Sequence, residues 1–365
     1  MPERFKMNEL KQTEIGSIPG DWEVVRLRDV AKVKYGKAKP KIKGNIPVVG
    51  SSGIYDWADK TFMELPTLVI GRKGTAGEVY LFLEPCWPSD TTFYLEFEQN
   101  NVDLTFLYYF MSLNKLSGEH AKTTLPSVQR GDLENYKFPL PSLDEQQKIT
   151  RVLSTIQRAI EQQDKIIEAT RKLKKSLLHT LFTEGLNGEE QKETEIGLIP
   201  KSWDVVGLGD ITEKTKQTDQ RKARKMIKAN DIIFATVRPY LKRVAIVPDA
   251  FDGEICSTAF CVVRCKREIA NPIFVFNCLL NDTFVDKVSE LQRGSSYPAV
   301  TDKDVLNQKI PFLPLSEQQQ IAHILSTVDK KIEIEERKKN TLKELFKTML
   351  HKLMSGEIRL KEVEV

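Results

Sequence analysis

A chain of 365 residues, 40% hydrophobic and 29% charged, has the length of roughly two to three folded domains and too many apolar residues to stay disordered. No apolar run approaches the ~20 residues of a membrane-spanning helix, and the N-terminal MPERFKMNELKQ lacks a signal-peptide core, so a cytoplasmic protein is expected. A net charge of +4 is too small to demonstrate a polyanionic partner, and five cysteines without a CxxC pair argue against a disulfide framework or a zinc ribbon.

The first element in chain order is one half of a repeat. KQTEIGSIPGDWEVVRLRDV (Lys11–Val30) returns as KETEIGLIPKSWDVVGLGDI (Lys192–Ile211), and each copy carries a short strand pattern in which Trp22 and Trp203 are expected as core anchors. Lysines then crowd Lys32, Lys34, Lys37, Lys39, Lys41 and Lys43; in the second copy Lys214, Lys216, Arg221, Lys222, Arg224, Lys225 and Lys228 do the same. One charge run is ordinarily a solvated face, but two at matching places point to a shared anionic partner.

Strand-like runs follow at Ile46–Val49, Thr67–Ile70, Glu78–Leu83 and Thr91–Phe97, and in the second copy at Asp231–Thr236, Arg243–Val247 and Ile255–Val263. Between them lie GSSGIYDW (Gly50–Trp57), with Ser51 and Ser52, and two basic turns. GRKGTAG (Gly71–Gly77) offers Arg72, Lys73 and Thr75; VRPYLKR (Val237–Arg243) offers Arg238, Tyr240, Lys242 and Arg243 and places Arg238 opposite Arg72. The first does not fit the phosphate-loop pattern GxxxxGK[ST]; its glycines would instead let backbone approach DNA. Cys261 and Cys265 fall on one strand face, as small buried hydrophobes.

Helical stretches are expected at Asp103–Leu113 and Asn271–Leu280, each opened by a capping residue. Two matched loops come next: TTLPSV (Thr123–Val128), with Thr123 and Thr124 near Arg130, and SSYPAV (Ser295–Val300), with Ser295, Ser296 and Tyr297 near Arg293. Hydroxyls before a proline suit a turn and also hydrogen-bond phosphate. LDEQQKITRVLSTIQRAIE (Leu143–Glu161) and LSEQQQIAHILSTVDKKIE (Leu315–Glu333) then begin two long helices with narrow apolar stripes, from Ile149 to Leu177 and from Ile321 to Leu353. Asp144 and Ser316 are expected as their N-caps, with Gln147 and Gln319 completing capping boxes, and Gly185 and Gly356 end them. Stripes this narrow call for the two helices to pack on each other, as a rod with a globular domain at each end.

Catalytic patterns are missing. NPIF (Asn271–Phe274) lacks the second proline of a base-holding NPPY loop, Pro248, Asp249, Glu254 and Cys256 put a cysteine where a nuclease needs a cation, and the four histidines form no constellation.

The order of these parts resembles the DNA-specificity subunit of type I restriction–modification systems. The resemblance rests on TEIGSIP and TEIGLIP before the tryptophans, GSSGIYDW, the two proline loops, and the PLPSLDEQ and LPLSEQQ boundaries, and it covers nearly the whole chain. It implies an α+β protein with two pseudo-repeated mixed α/β target-recognition domains separated by two long helices packed as an antiparallel coiled coil. The expected division is 1–141, 142–190, 191–313 and 314–365, with the recognition domains proper at about Asp21–Pro141 and Ser202–Leu313. Each domain would read one half of a split double-stranded DNA target, and the helices would act as ruler and dock two modification (methyltransferase) subunits, joined by restriction/translocase subunits. The chain itself would be non-catalytic and hold no cofactor; S-adenosylmethionine would belong to the modification subunits, ATP and magnesium to the restriction subunits. Charge, hydroxyl chemistry and repeat position nominate as DNA-binding Lys37, Lys39, Lys41, Lys43, Ser51, Ser52, Arg72, Lys73, Thr75, Thr123, Thr124 and Arg130 in the first half. In the second they nominate Lys222, Arg224, Lys225, Arg238, Tyr240, Lys242, Arg243, Arg293, Ser295, Ser296 and Tyr297. A duplicated protein-binding adaptor without DNA specificity is the alternative.

Overall fold

The protein is described from a computed structural model, covering residues 10–97, 101–116, 127–215, 217–219 and 224–360. Contacts divide the chain into two units, Met1–Gln162 with Lys338–Val365, and Gln163–Arg337.

In the first unit, a hairpin of β1 (Leu10–Thr13) and β2 (Gly16–Pro19) precedes β3 (Glu23–Arg26), β4 (Ala31–Tyr35), β5 (Ile46–Gly50), β6 (Gly53–Ala58), β7 (Thr67–Gly71), β8 (Val79–Phe82), β9 (Trp87–Pro88) and β10 (Thr92–Phe97). Helices α1 (Leu104–Leu113) and α2 (Arg130–Glu134), strand β11 (Lys137–Leu140) and the long helix α3 (Leu143–Thr183) follow. An antiparallel sheet of order β4-β10-β7-β8 backs α1, while β6-β5-β9 forms a second sheet and β11 pairs with β3. Strand β7 is buried throughout because both its faces are covered. The core joins Trp22, Leu68, Ile70, Phe93, Phe106 and Phe138 to Ile149 and Leu153 of α3 and to Leu353 and Met354 near the chain's end.

The second unit repeats the plan with β12 (Gln191–Thr194), β13 (Gly197–Pro200), β14 (Asp204–Gly207), β15 (Gln217–Asp219), β16 (Arg224–Met226), β17 (Ile232–Ala235), β18 (Val244–Ile246), β19 (Ile255–Cys256) and β20 (Phe260–Val263). Helices α4 (Pro272–Leu280), α5 (Asp282–Glu290) and α6 (Asp302–Leu306), strand β21 (Lys309–Phe312) and helix α7 (Leu315–Met354) complete it. Here the sheet is β18-β17-β20, so β17, β18 and β20 stand where β7, β8 and β10 stand in the first unit. The run Ile255–Val263 is two strands rather than one, broken by the turn in which Phe260 donates its N–H to the Ser257 carbonyl. Helix α5 adds an element not read from the sequence; its Phe284, Val285 and Val288 face the core.

Asp103 and Asn271 cap α1 and α4, their side chains accepting from the N–H groups of Phe106 and of Ile273 and Phe274. The long helices start earlier than expected. Ser142, just before α3, supplies the cap: its hydroxyl accepts from Glu145 and its carbonyl from Gln146. Asp144 lies inside the first turn and pairs with Lys148 at 2.9 Å, so neither it nor Ser316 is a cap. Gly185 and Gly356 follow the two helices at φ +68° and +71°, and a Cβ on Gly356 would lie 2.3 Å from Pro19. In the second unit α3 and α7 run antiparallel: Gln163 donates to Glu335, Lys174 pairs with Asp329, and Phe182 shares a core with Ile321 and Leu325. All five cysteines are free, and burial pushes the Cys261 and Cys265 thiols up to about 12, consistent with inert apolar packing.

Candidate nucleic-acid interface

Each unit holds its strands to a long helix with the same set of bonds. The indole N–H of Trp22 donates to Glu145 at 3.0 Å, and that of Trp203 to Glu317 at 3.2 Å. Gln146 accepts from the Asp103 N–H and donates to the carbonyls of Asn101 and Pro141; Gln318 accepts from Asn271 and donates to Ile269 and Leu313. Both glutamines are almost fully buried with their amides satisfied, which explains why the EQQ triplet recurs. Sequence reasoning passed over these residues; the repetition of EQQ was their only signal.

From this frame a hairpin tip projects in each unit, between β7 and β8 and between β17 and β18. A facing segment touches each tip, through Ser127 and Val128 in the first unit and Ala299 and Val300 in the second. Arg72 donates to the Thr91 carbonyl at 2.9 Å and accepts from Val128 at 3.0 Å; Thr236 donates to Ala259 at 2.8 Å and accepts from Val300 at 2.9 Å. Lys73 bridges Ser127 as Val237 bridges Ala299. The backbone equivalent of Arg72 is therefore Thr236, not Arg238, and Arg238 falls opposite Gly74. The expected pairing matched charges, whereas the hydrogen-bond ladder matches backbone.

The first tip presents Arg72 with its guanidinium 5.3 Å from the Tyr35 ring centroid and 6.0 Å from that of Phe93, its Nε buried without a partner. Tyr35, half exposed on β4, joins the candidate site through Arg72, and charge counting missed it. Lys73 and Thr75 are exposed beside it, and Thr75 shares a 2.8 Å hydroxyl contact with Ser52. Ser51 is different: it is buried, and its hydroxyl is spent on the Thr91 carbonyl. Lys37 lies over the Phe62 ring at 4.3 Å, Lys39 pairs with Asp56, and Lys41 and Lys43 are exposed. Arg130 is bound to Glu134 one helical turn on. Thr123 and Thr124 lie outside the described residues.

In the second unit Arg238 lies over Tyr297 at 5.4 Å and donates to the Ser296 carbonyl at 3.4 Å. Tyr297 is 74% and Tyr240 50% exposed; Ser295, Ser296 and Arg243 are exposed as well. Lys242 pairs with Asp282, and Arg293 with Asp304 at 2.9 Å. The hydrogen bonds that Asp304 accepts from Thr301, together with that of Arg293, pull its carboxyl down to about 2. Lys225 departs from expectation. It is 5% exposed, its ammonium held by Asp302 and the Phe260 carbonyl, so it braces β16 against α6 and is withdrawn from the surface. Lys222 and the side chain of Arg224 lie outside the described residues. Among those described, no group of three or more His, Cys, Asp and Glu is placed to hold a metal ion, and no helix is long and apolar enough to cross a membrane.

The geometry thus brings together, in both units, a basic hairpin tip, a proline loop and exposed aromatic rings. Such a surface suits a nucleic acid: cations meet phosphates, while stacked guanidinium forks face base edges. Comparison with known proteins agrees. The type I restriction modification DNA specificity domain matches twice, over residues 19–171 and 200–344. The MjaVIII type I restriction enzyme specificity subunit of Methanocaldococcus jannaschii is 27% identical, with 98% of each chain covered. That of EcoDI from Escherichia coli is 22% identical over 94% of this chain and 90% of its own. The fold is shared with the crystal structure of the type I S subunit from M. genitalium, at a TM-score of 0.64 and 17% identity over 91% of this chain and 96% of that one. With both halves matched in order, the chain belongs to the type I restriction–modification DNA specificity subunits.

Proposed function

We propose that each unit reads one half of a split double-stranded DNA target through its hairpin tip and facing loop, and that the chain delivers this choice, without catalysis of its own, to partner subunits. The observation that carries the reading is the pair of tips: one duplicated frame presents two different basic and aromatic surfaces at the same place. The long helices carry two modification subunits and set the spacing of the half-sites; restriction subunits join that assembly. S-adenosylmethionine, ATP and magnesium belong to those partners, and the assembly works on DNA in the cytoplasm. Among the nominated residues, Arg72, Lys73, Thr75, Ser52 and the lysines from Lys37 to Lys43 serve the first half-site. Arg238, Tyr240, Arg243, Ser295, Ser296 and Tyr297 serve the second.

Exchanging Asp21–Pro141 for the recognition domain of another specificity subunit tests this directly. Mapping methylated sites of the reconstituted complex should show one half-site replaced and the other kept. Simultaneous change of both would end the idea of independent reading. A protein-binding adaptor would behave otherwise again, since only DNA binding weakens steeply with salt as phosphates regain their counterions.

A further inference from the structure

The second tip is built against the usual backbone preference. Its three-residue 3-10 turn, Pro239–Leu241, is flanked by Arg238 and Lys242, both at φ +51°. In the first unit the left-handed positions of the corresponding tip are glycines, Gly74 at φ +77° and Gly77 at φ +84°. The ladder places Arg238 at Gly74, and since Ala235 donates to Arg243 where Gly71 donates to Glu78, Lys242 takes the place of Gly77. A Cβ makes this conformation unfavourable, so a long cationic side chain held there needs surroundings that impose it and a use that keeps it.

The two strained cations are not alike. Lys242 is tied to Asp282, and nearby Arg293 to Asp304. Among the described residues Arg238 has no acidic partner; its side chain lies over the Tyr297 ring and donates to the Ser296 carbonyl, while its own N–H donates to the Pro298 carbonyl at 2.8 Å. Among the described residues Arg243 is also without an acid but has no ring beneath it. A guanidinium lying over an exposed ring at 5.4 Å and held by the Ser296 carbonyl, at the end of a projecting tip, is restrained before any ligand arrives. Two parallel N–H donors match O6 and N7 of guanine in the major groove, whereas a phosphate asks only for charge.

We propose that Arg238 discriminates a guanine in the half-site read by the second unit, with Tyr297 as its positioning residue. This rests on the DNA-reading function proposed above. The decisive variant is Arg238→Gly, because glycine is what the first unit places in this conformation, so loss of function cannot be ascribed to a damaged tip. Methylated sites are mapped for the complex with its modification subunits, and binding is titrated against salt on a matched duplex. The wild type should show a guanine at one position of the second half-site. Arg238→Gly should melt no lower than wild type, leave the first half-site intact, relax that one position by about tenfold or more, and change the salt slope by less than the ~0.9 of one phosphate contact. Tyr297→Phe should keep the preference and Tyr297→Ala weaken it. A second half-site without guanine, unaltered preference in Arg238→Gly, or a uniform loss with a shallower slope would each overturn the assignment. If the wild-type complex reads no split target at all, the DNA-reading function itself fails, a result distinguishable from these.

Discussion

The two units agree where nothing can be seen from outside and differ where something could bind. Trp22 with Glu145 and Trp203 with Glu317 repeat bond for bond, as do the three side-chain links of Gln146 and of Gln318. The tips share strands and ladder bonds yet offer an arginine from different backbone positions. Duplicated interior polar bonds fix a position for the tip; the tip then varies freely because no core depends on it. One interior difference stands out. Glu145 is 1% exposed and is neutralised by Arg359, at 2.7 and 2.8 Å, while Glu317 remains partly open and has no such arginine among the described residues. A carboxylate removed from water needs a counter-charge; one that keeps water does not.

Replacing Arg359 by Ala should break this comparison hardest. The change leaves Glu145 buried and unpaired and also removes the bidentate link to Asp21, so the first unit should lose about 3–5 kcal/mol. Denaturant unfolding with hydrogen exchange would resolve the units, and equal loss in both would contradict the account. Gln146→Ala and Gln318→Ala come next. Each strands a buried N–H and two carbonyls, at about 1–3 kcal/mol, and the two costs should match because the bonds do; a clearly unequal pair would show that the frames are not equivalent.

Arg72→Ala sharpens the contrast of the tips. Its expected effect is about 1–3 kcal/mol of binding, confined to the first half-site, where its fork, lying over Tyr35, meets a base. Competition between duplexes altered in one half-site at a time would measure it, and losses at the second half-site would sink the separation. The smallest effect concerns pH. Asp304 titrates at about 2 when folded against 3.8 ordinarily, so its bonds stabilise the start of α6 fully above pH ~4 and are lost as pH falls toward 2. Arg293→Gln should shrink that acid-side contribution, read by exchange protection of α6 between pH 4 and 2, while the first unit is unaffected.

What was legible in the sequence was local or repeated. The buried tryptophans, the caps Asp103 and Asn271, the strands β5, β7, β8 and β10 and both long helices announce themselves through nearby residues, whereas β6 and β9 were not read. The role of Glu145 did not, because its partner lies 214 residues away and nothing near either residue marks the pair. The register of the second tip was misread because charge was aligned with charge, and no sequence signal marks an arginine or lysine that adopts a conformation usually left to glycine. Lys225 looked like its neighbours in a basic run; only Asp302, brought in by a distant helix, shows that it is interior. Helix α5 was hidden by the largely apolar α4 before it, though Asn281 caps it with a bond from Thr283.

The path of the chain through the first unit has a consequence for its synthesis. Residues 163–337 form their unit from one continuous stretch, but the first unit is closed by Leu353, Met354, Arg359 and Leu360, the last described residues of the chain. At roughly 5–20 residues per second, the 214 residues from Glu145 to Arg359 take a ribosome roughly 10–40 s to add. For that interval Glu145 has no guanidinium and the faces of Ile149 and Leu153 have no α7 to cover them. The recognition unit that begins first is therefore finished last. Released chains ending at Arg337 should, on limited proteolysis, protect the later unit and surrender the earlier one; protection of both would show that the first unit can close without the end of its own chain.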